Sequence, residues 1–355
     1  MSRRILQVFN RYLHPGGEEK SVDRIFTHLT EGNDVQRCFF ESRDWTGPSA
    51  PSRIRQLQRM FYNPDSRAAF ERASSANRCE AALFHNIFPV GSPSLYHAAL
   101  QRGLPVIQFL HNFRPFSVGG TLYAKGKLMP EALRGHYSRE VFSGSWQGSV
   151  VKSALFALLL KRLHRSGWLD AVQQWVAISE FMRDRLIEAG VSPSRITALR
   201  HSWDAMEILP LREDNGSYLF LGRLVDVKGI EPLLSAWREL RRQLGDRTPP
   251  LIIAGEGPLA DRIRSEASPG VRYAGMLTGA AKQEALRNCR ALVVPSVWWE
   301  PLGLVAYEAY DFGKPLLAAS SGGLTEVILP GVTGLLHLSL IHISEPTRLR
   351  RISYA

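Results

Sequence analysis

The chain has 355 residues, which is enough for two domains, and its hydrophobic fraction of 45% supports well-packed cores. Three widely spaced cysteines exclude a disulfide framework and indicate a reducing cytoplasm. No apolar run approaches the ~18 residues that a membrane span requires. Gln7 and Asn10 interrupt the first apolar segment, so we expect a strand there rather than a signal peptide.

The net charge of +11 is spread unevenly along the chain. Residues 1–210 carry 27 Lys and Arg against 18 Asp and Glu, whereas residues 211–337 carry 14 of each. This asymmetry indicates either that the first half faces an anionic partner, such as a lipid phosphate or a membrane surface, or that it has a solvated, arginine-rich surface. No nucleic-acid-binding motif is found in the sequence, and we expect no nucleic acid partner.

The first half alternates strand and helix patterns, which predicts a doubly wound α/β domain. Gly16 and Gly17 stand at the start of the first helical pattern, where a glycine backbone can approach a phosphate or an acceptor closely. We expect strands at 5–9, 81–86 and 105–110, and helices at 21–29, 53–78 with a break at 63–64, and 151–164. The segment 175–182 is expected to be a strand followed by the start of a helix, with Ser179 as the helix cap.

His111 follows the predicted strand 105–110 directly. Open α/β sheets bind ligands at the carboxyl ends of their strands, so we predict that His111 belongs to a ligand site. The structural alternative is a histidine held by a local hydrogen bond. Residues 115–150 are glycine-rich and unassigned, and we expect them to cover an acceptor. The amphipathic, basic segment 151–164 is expected to pack on the core, with contact to a membrane surface as the alternative.

The second half places two carboxylates, Glu300 and Glu308, on either side of a strand-to-helix connection. The apolar run 291–296 predicts a buried parallel strand, and Glu308 lies in the first turns of the following helical pattern. Gly303 and Leu304 stand where a helix N-terminus offers backbone N–H groups to an anion. Both carboxylates are therefore expected to face one crevice.

Five ordered segments together resemble the retaining family 4 glycosyltransferases, which have a GT-B fold. The E-x7-E spacing of Glu300 and Glu308 is one of them. The others are Gly222-Arg223-Leu224 with Lys228-Gly229, Gly255-Glu256-Gly257-Pro258, Gly322-Gly323-Leu324-Thr325-Glu326, and Gly331-Val332-Thr333-Gly334-Leu335-Leu336. Such a set is more specific than a lone glycine pattern.

The resemblance implies an α/β protein of two Rossmann-like, doubly wound domains that face a crevice. Residues 1–204 would form the acceptor-side domain, and residues 205–337 would form the donor domain, which is expected to be incomplete. The implied activity is transfer of a sugar, with retention, from a nucleotide-diphospho-sugar to a glycan or lipid-linked acceptor in cell-surface polysaccharide biosynthesis. We expect the protein in the cytoplasm, either free or peripheral at the inner face of the membrane.

The resemblance also assigns roles to residues. His111 and Glu300 would be the catalytic pair, with Glu300 holding sugar hydroxyls rather than acting as a nucleophile. The implied donor-binding residues are Gly16, Gly17, Arg223, Lys228, Gly303, Leu304 and Glu308. Arg223 and Lys228 would neutralise the diphosphate leaving group from fixed positions. The sequence has no Asp-x-Asp triplet, so we expect no metal and no cofactor.

Two alternatives remain open from the sequence: a GT-B-like nucleotide-sugar epimerase and a non-catalytic nucleotide-sugar binder. The segment from Leu338 to Ala355 resembles a translated sequencing adapter. We therefore expect the natural sequence to stop near His337, and the last 18 residues to be a non-native tail.

Overall fold

The computed structural model describes residues 2–13, 16–203, 213–265 and 269–337. These residues form two compact units, one with residues 1–124 and 129–202 and the other with residues 125–128 and those from 203 onward. The predicted boundary after Asp204 and the predicted tail, 338–355, lie outside the described residues. Both stay predictions.

The first unit is built on a six-stranded parallel sheet. Its strands are β1 (Arg4–Arg11), β2 (Asp34–Glu41), β3 (Ala81–Phe84), β4 (Val106–Leu110), β7 (Val172–Ala177) and β8 (Ile196–Ala198). Two short strands, β5 (Tyr123–Ala124) of the first unit and β6 (Lys127–Leu128) of the second, lie outside this sheet. The order is β2-β1-β3-β4-β7-β8, and every neighbouring pair is parallel. The winding direction reverses between β1 and β3, where open α/β sheets bind ligands.

Helices cover this sheet. They are α1 (Gly17–Thr30), α2 (Arg53–Phe61), α3 (Pro64–Ala76), α4 (Ser94–Gln101), α5 (Ser138–Ser143), α6 (Val150–Arg165) and α7 (Glu180–Glu188), with single 3-10 turns at Ser42–Trp45, Pro130–Arg134, Trp168–Ala171 and Pro193–Arg195. The predicted break at 63–64 is present, because the Asn63 side chain accepts hydrogen bonds from the N–H groups of Asp65 and Ser66 and starts a new helix. Ser179 caps α7 as predicted, accepting from the Met182 N–H.

Helix α1 begins at Gly17, four residues before the predicted start at Ser21. The first turn carries Glu18 and Glu19, whose negative charges stabilise a helix N-terminus. Both carboxylates also accept hydrogen bonds from Tyr12, Glu18 from its hydroxyl and Glu19 from its N–H. These contacts stabilise a first helical turn that has no apolar pattern, so the helix starts earlier than the apolar residues indicate.

The unassigned segment 115–150 contains a buried carboxylate that ties two of its parts together. Glu140 of α5 accepts hydrogen bonds from the Ser117 hydroxyl at 2.5 Å and from the Val118 N–H at 2.8 Å. Burial raises the pKa of Glu140 despite these bonds. The segment is therefore anchored by a polar contact that hydrophobic periodicity does not reveal.

The second unit contains a second six-stranded parallel sheet. Its strands are β9 (Tyr218–Leu221), β10 (Leu251–Ala254), β11 (Val271–Gly275), β12 (Ala291–Val294), β13 (Leu316–Ala319) and β14 (Gly334–His337). Its helices are α8 (Ile230–Leu244), α9 (Ala260–Ser265), α10 (Gly279–Asn288), α11 (Val305–Tyr310) and α12 (Leu324–Val327), with 3-10 turns at Asp226–Lys228 and Gly245–Arg247.

The strand order of this sheet is β11-β10-β9-β12-β13-β14. Counted within the unit this is 3-2-1-4-5-6, the order of dinucleotide-binding Rossmann sheets. Two apolar clusters pack on the sheet, one around Leu219 and Leu292 and the other around Phe220 and Ile253. The expected doubly wound α/β architecture is confirmed in both units. None of the helices in the described ranges is long and apolar enough to cross a bilayer.

Candidate functional site

The winding direction of the second sheet reverses between β9 and β12, and the loops after these strands touch. The Val297 N–H donates to the Val227 carbonyl at 3.0 Å. Gly229 has a φ of +73°, and a Cβ built on it would lie 2.0 Å from the Pro295 carbonyl oxygen. The glycine of the predicted K-G pair is therefore needed for two backbones to meet, and their contact brings Lys228 to Glu300.

Lys228 and Glu300 form an ion pair at the centre of this site, with Nζ 2.5 Å from Oε1. The Ser296 hydroxyl donates to the same oxygen at 2.6 Å. Burial alone would raise the pKa of the Glu300 carboxyl, but the charge and hydrogen bond of Lys228 and the hydrogen bond of Ser296 outweigh it and lower that pKa. Glu300 is thus an ionised, buried hydrogen-bond acceptor at neutral pH.

The backbones of Gly322 and Gly323 pack directly against the loop that carries Glu300. The Gly323 N–H donates to the Glu300 carbonyl at 2.7 Å. A Cβ on Gly322 would lie 2.2 Å from the same carbonyl oxygen, and one on Gly323 would lie 2.4 Å from that of Pro301. The G-G-x-x-E segment therefore acts by close approach to the loop that carries Glu300.

Helix α11 starts directly after this loop, with Leu304 as its cap residue. Within the described residues, the N–H groups of Gly303 and Leu304 donate no hydrogen bond. Glu308 lies in the first turn of α11, and its Oε1 is 2.6 Å from Nζ of Lys282. The structure thus brings Lys228, Glu300, Gly303, Leu304 and Glu308 to one edge of the second sheet.

Arg223 lies in the loop after β9 and is exposed. Its guanidinium makes no ion pair or hydrogen bond within the described part of the chain. The Leu224 N–H donates to the Glu256 carbonyl at 2.8 Å, which ties the Arg223 loop to the glycine turn after β10. The backbone of Arg223 is therefore fixed by its neighbour, while its guanidinium is available to bind an anion.

His111 lies in the first unit, at the carboxyl end of β4, and belongs to a cluster of three histidines. Its Nε2 is 3.0 Å from Nδ1 of His85, and its ring stacks on that of His201 at 5.2 Å with an interplanar angle of 13°. Burial lowers the pKa of all three imidazoles, to about 3 for His85 and about 4 for His201. The histidines are neutral at physiological pH.

Gly16 and Gly17 stand at the N-terminus of α1, also in the first unit. A Cβ on Gly16 would meet no described atom within 4 Å, so packing does not require this glycine. The Glu18 carboxylate accepts from the Asn112 amide at 3.1 Å, and Glu18, His111 and Asn112 line one pocket. A carboxylate beside this helix N-terminus disfavours a phosphate there and favours a hydroxyl.

Sequence reasoning missed four polar groups at these sites: Ser296, Lys282, His85 and His201. Each bonds to or stacks on a residue that was predicted. His85 was included in the predicted strand 81–86, but the observed strand β3 ends at Phe84, so His85 follows its strand just as His111 follows β4. Ser296 also follows a strand, β12, whereas Lys282 and His201 come from segments whose tertiary placement no local pattern indicates.

A metal centre was not predicted. Within the described ranges, no group of three or more His, Cys, Asp and Glu side chains is arranged to hold a metal ion.

Residues 202–338 match the family model described as glycosyl transferases group 1. The glycogen synthase of Mycobacterium tuberculosis (strain H37Rv) is 32% identical over 195 residues, which cover 48% of this chain and 46% of the relative. The lipopolysaccharide 1,2-N-acetylglucosaminetransferase of Salmonella typhimurium is 29% identical over 188 residues, covering 48% and 47%. The chain spans less than half the length of these curated relatives.

Solved structures resemble almost the whole chain. Sucrose-phosphate synthase from Thermosynechococcus elongatus superposes with a TM-score of 0.63 at 17% identity, covering 99% of this chain and 89% of that one. Anabaena Alr3699/HepE, solved in complex with UDP-glucose, has a TM-score of 0.59 at 16% identity, covering 96% and 88%. The chain therefore has the fold of the GT-B glycosyltransferases, as expected.

Proposed function

We propose that this protein transfers a sugar, with retention and without a metal ion, from a nucleotide-diphospho-sugar to a glycan or lipid-linked acceptor. The observation that carries the proposal is the Lys228–Glu300 pair beside the start of α11, at the reversal point of a Rossmann sheet. A match to glycosyl transferases group 1 over the same residues supports it.

The proposed donor site uses the charges and N–H groups of the second unit. Arg223 and Lys228 would neutralise the diphosphate, and the Gly303 and Leu304 N–H groups would donate to its oxygens. Glu308 would accept hydrogen bonds from the ribose hydroxyls. Glu300 would accept them from the sugar, because a carboxylate already bonded to Lys228 and Ser296 is poorly suited to be a nucleophile.

The proposed reaction is a single exchange at the anomeric carbon. The acceptor oxygen forms a bond to that carbon on the face from which the phosphate departs, and the carbon–oxygen bond to the phosphate breaks. The proton of the acceptor hydroxyl passes to the leaving phosphate oxygen. The two cations stabilise the charge that develops on the diphosphate, which is the main electrostatic contribution the protein can make.

The first unit is proposed to take the acceptor. Gly16 and Gly17, expected from the sequence to bind the donor, lie beside carboxylates that favour hydroxyl groups, so we assign them to the acceptor instead. His111 would orient the donor sugar or the acceptor. Glycogen synthase and the lipopolysaccharide transferase are both named for glycans, which supports a glycan acceptor. We propose that this acceptor belongs to cell-surface polysaccharide biosynthesis. We place the protein in the cytoplasm, where the basic first unit would contact an anionic membrane surface.

The test is a screen of UDP-, GDP- and ADP-linked sugars that measures release of nucleoside diphosphate with and without glycan acceptors. We expect release by the wild type, its persistence in EDTA, and its loss in Lys228→Met. NMR of the product should show the anomeric configuration of the donor.

Three outcomes would contradict the proposal. Formation of an epimeric sugar without acceptor would indicate an epimerase. Binding of the nucleotide with no turnover of any donor would indicate a non-catalytic binder. Activity that EDTA abolishes and Mg²⁺ or Mn²⁺ restores would overturn the metal-free mechanism.

A further inference from the structure

A continuous hydrogen-bond chain crosses the carboxyl-end edge of the first sheet, from β1 through His85 to His111. The Gln7 amide nitrogen lies 2.9 Å from the Val22 carbonyl oxygen and 3.1 Å from Nε2 of His85. Nδ1 of His85 lies 3.0 Å from Nε2 of His111. Gln7 and His85 are both fully buried.

The direction of every hydrogen bond in this chain follows from its first member. A carbonyl oxygen only accepts, so the Gln7 atom facing Val22 must be its NH₂ group. The same NH₂ group faces Nε2 of His85 and has no lone pair to offer, so it donates there as well. Nε2 of His85 therefore accepts, and the single N–H of its neutral ring is on Nδ1.

The same reasoning applies to His111. Nδ1–H of His85 donates to Nε2 of His111, which must accept. The N–H of neutral His111 is therefore on Nδ1. That nitrogen is buried and has no hydrogen-bond partner within the described residues. A buried N–H without an acceptor costs free energy, which a ligand oxygen would recover.

We propose that Gln7, acting through His85, is a positioning residue that fixes His111 as a hydrogen-bond donor through Nδ1, and that His111 cannot accept a proton from the substrate. The group it recognises is a ligand oxygen, such as a sugar hydroxyl. The identity of that ligand rests on the proposed function, whereas the tautomers do not.

The direct test is ¹⁵N–¹H correlation NMR of the protein labelled at histidine. Signals are assigned by their loss in His85→Asn and His111→Asn. We expect protonated Nδ1 and unprotonated Nε2 in both rings of the wild type at pH 7.5. A protonated Nε2 on His111 would overturn the proposal, whatever the enzyme assays show.

The role of Gln7 is tested by Gln7→Met, which keeps the volume of the side chain but removes its donor, with Gln7→Leu as a second variant should Met fail to fold. We expect the His85 and His111 signals to shift toward protonated Nε2. The control is Gln108→Met, which removes another buried amide that bonds to the backbone of His85 but does not touch its ring. Unchanged tautomers in the Gln7 variants would show that Gln7 does not set the tautomers of His85 and His111.

A catalytic readout separates a donor from a base. The amide nitrogen of asparagine can occupy the position of imidazole Nδ1, so His111→Asn should keep kcat/KM within about tenfold of wild type. His111→Ala should lose about 10²-fold. Equal loss in both variants would contradict the donor role. No turnover by the wild type would instead count against the proposed function and leave the NMR result standing.

Discussion

Lys228 is held by a carboxylate at the position where the proposed mechanism requires a cation. The Glu300 side chain is almost fully buried, and that of Lys228 is 23% exposed. Removing one member of a buried ion pair costs more than removing both, because the remaining charge has lost its partner. The stability and the catalytic contributions of Lys228 can therefore be separated by experiment.

We expect Lys228→Met to lower turnover by about 10²-fold, the scale for losing one fixed donor to a developing anion. It should also lower the free energy of unfolding by about 3 kcal/mol, because Glu300 stays buried without its cation. The double variant Lys228→Met/Glu300→Gln should recover most of the stability but no turnover. Urea denaturation and a diphosphate-release assay measure the two quantities. Unchanged kinetics in Lys228→Met would place the diphosphate elsewhere.

The histidine cluster predicts a dependence of stability on pH. The pKa of His201 is lowered by burial from its ordinary 6.5 to about 4. Between these values the unfolded chain binds a proton that the folded chain does not, so stability falls as the pH falls through this window. His201→Phe preserves ring packing and should reduce the slope by about 1.4 kcal/mol per pH unit.

The measurement is urea unfolding between pH 6.5 and 4.5, with the unfolded fraction read by pulsed hydrogen exchange in peptides that contain β4. His136→Gln, at an exposed histidine outside the cluster, is the control for replacing a histidine. A slope that His201→Phe does not alter would show that His201 is already protonated in the folded state.

Single residues could be predicted where chain position alone determined their place. Glu300 and His111 each follow a buried strand, and parallel strands end at one edge of a sheet. The partners of these residues could not be predicted in the same way. His201 reaches His111 from 90 positions along the chain, and Lys282 reaches Glu308 from another helix. Such pairs depend on tertiary packing, which local periodicity does not encode.

At the level of elements, glycine pairs set the distance between loops in the second unit. Gly322 has a φ of +58° and lies against the Glu300 carbonyl, whereas Gly331 has a φ of +77° and lies in open space. Both positions resist a side chain because of their backbone conformation, but only Gly322 also lacks room for one. Comparing alanine substitutions at the two glycines therefore measures the effect of the close approach between Gly322 and the Glu300 carbonyl.

We expect Gly331→Ala to destabilise the protein by about 1 kcal/mol, the cost of a left-handed conformation with a Cβ. Gly322→Ala should cost several kcal/mol and displace Glu300, with turnover falling by about 10²-fold or more. Thermal unfolding and the diphosphate-release assay compare the two variants. Equal effects would show that close approach to Glu300 contributes nothing.

The elements themselves were largely predictable, and their exceptions have physical causes. Strands β3, β10, β12 and β13 are short apolar runs, and the start of α3 is marked by an Asn-Pro pair. Strand β2 was not predicted, because Gln36 and Arg37 interrupt its apolar residues. The segment 115–150 gave no signal, because its buried apolar residues, such as Phe116, Leu122 and Leu133, follow no regular spacing. A buried hydrogen-bonded carboxylate, Glu140, also ties the segment together. Helix α1 was predicted too short because its first turn is stabilised by charge.

At the level of the whole molecule, the excess positive charge lies in the first half of the chain, and helix α6 of that half also carries exposed apolar side chains. Val151 and Leu158 are 69% and 56% exposed and lie two helical turns apart, so they share one face. Arg162 and Arg165 continue the same face, and α6 has no acidic residue. An exposed apolar stripe next to arginines is the pattern of a helix that rests on an anionic membrane.

This pattern predicts binding of the full chain to vesicles that contain phosphatidylglycerol but not to vesicles of phosphatidylcholine alone. Arg162→Ala/Arg165→Ala removes two charges, each contributing about 1 kcal/mol near such a surface, and should weaken binding roughly 30-fold. Leu158→Ser should weaken it further by removing apolar contact. Val332→Ser is the control, because Val332 is 78% exposed in the electrically balanced second half of the chain. Vesicle co-sedimentation in 0.1 M salt measures each case. Binding that survives the arginine substitutions, or that Val332→Ser reduces equally, would mean that α6 is a solvated surface.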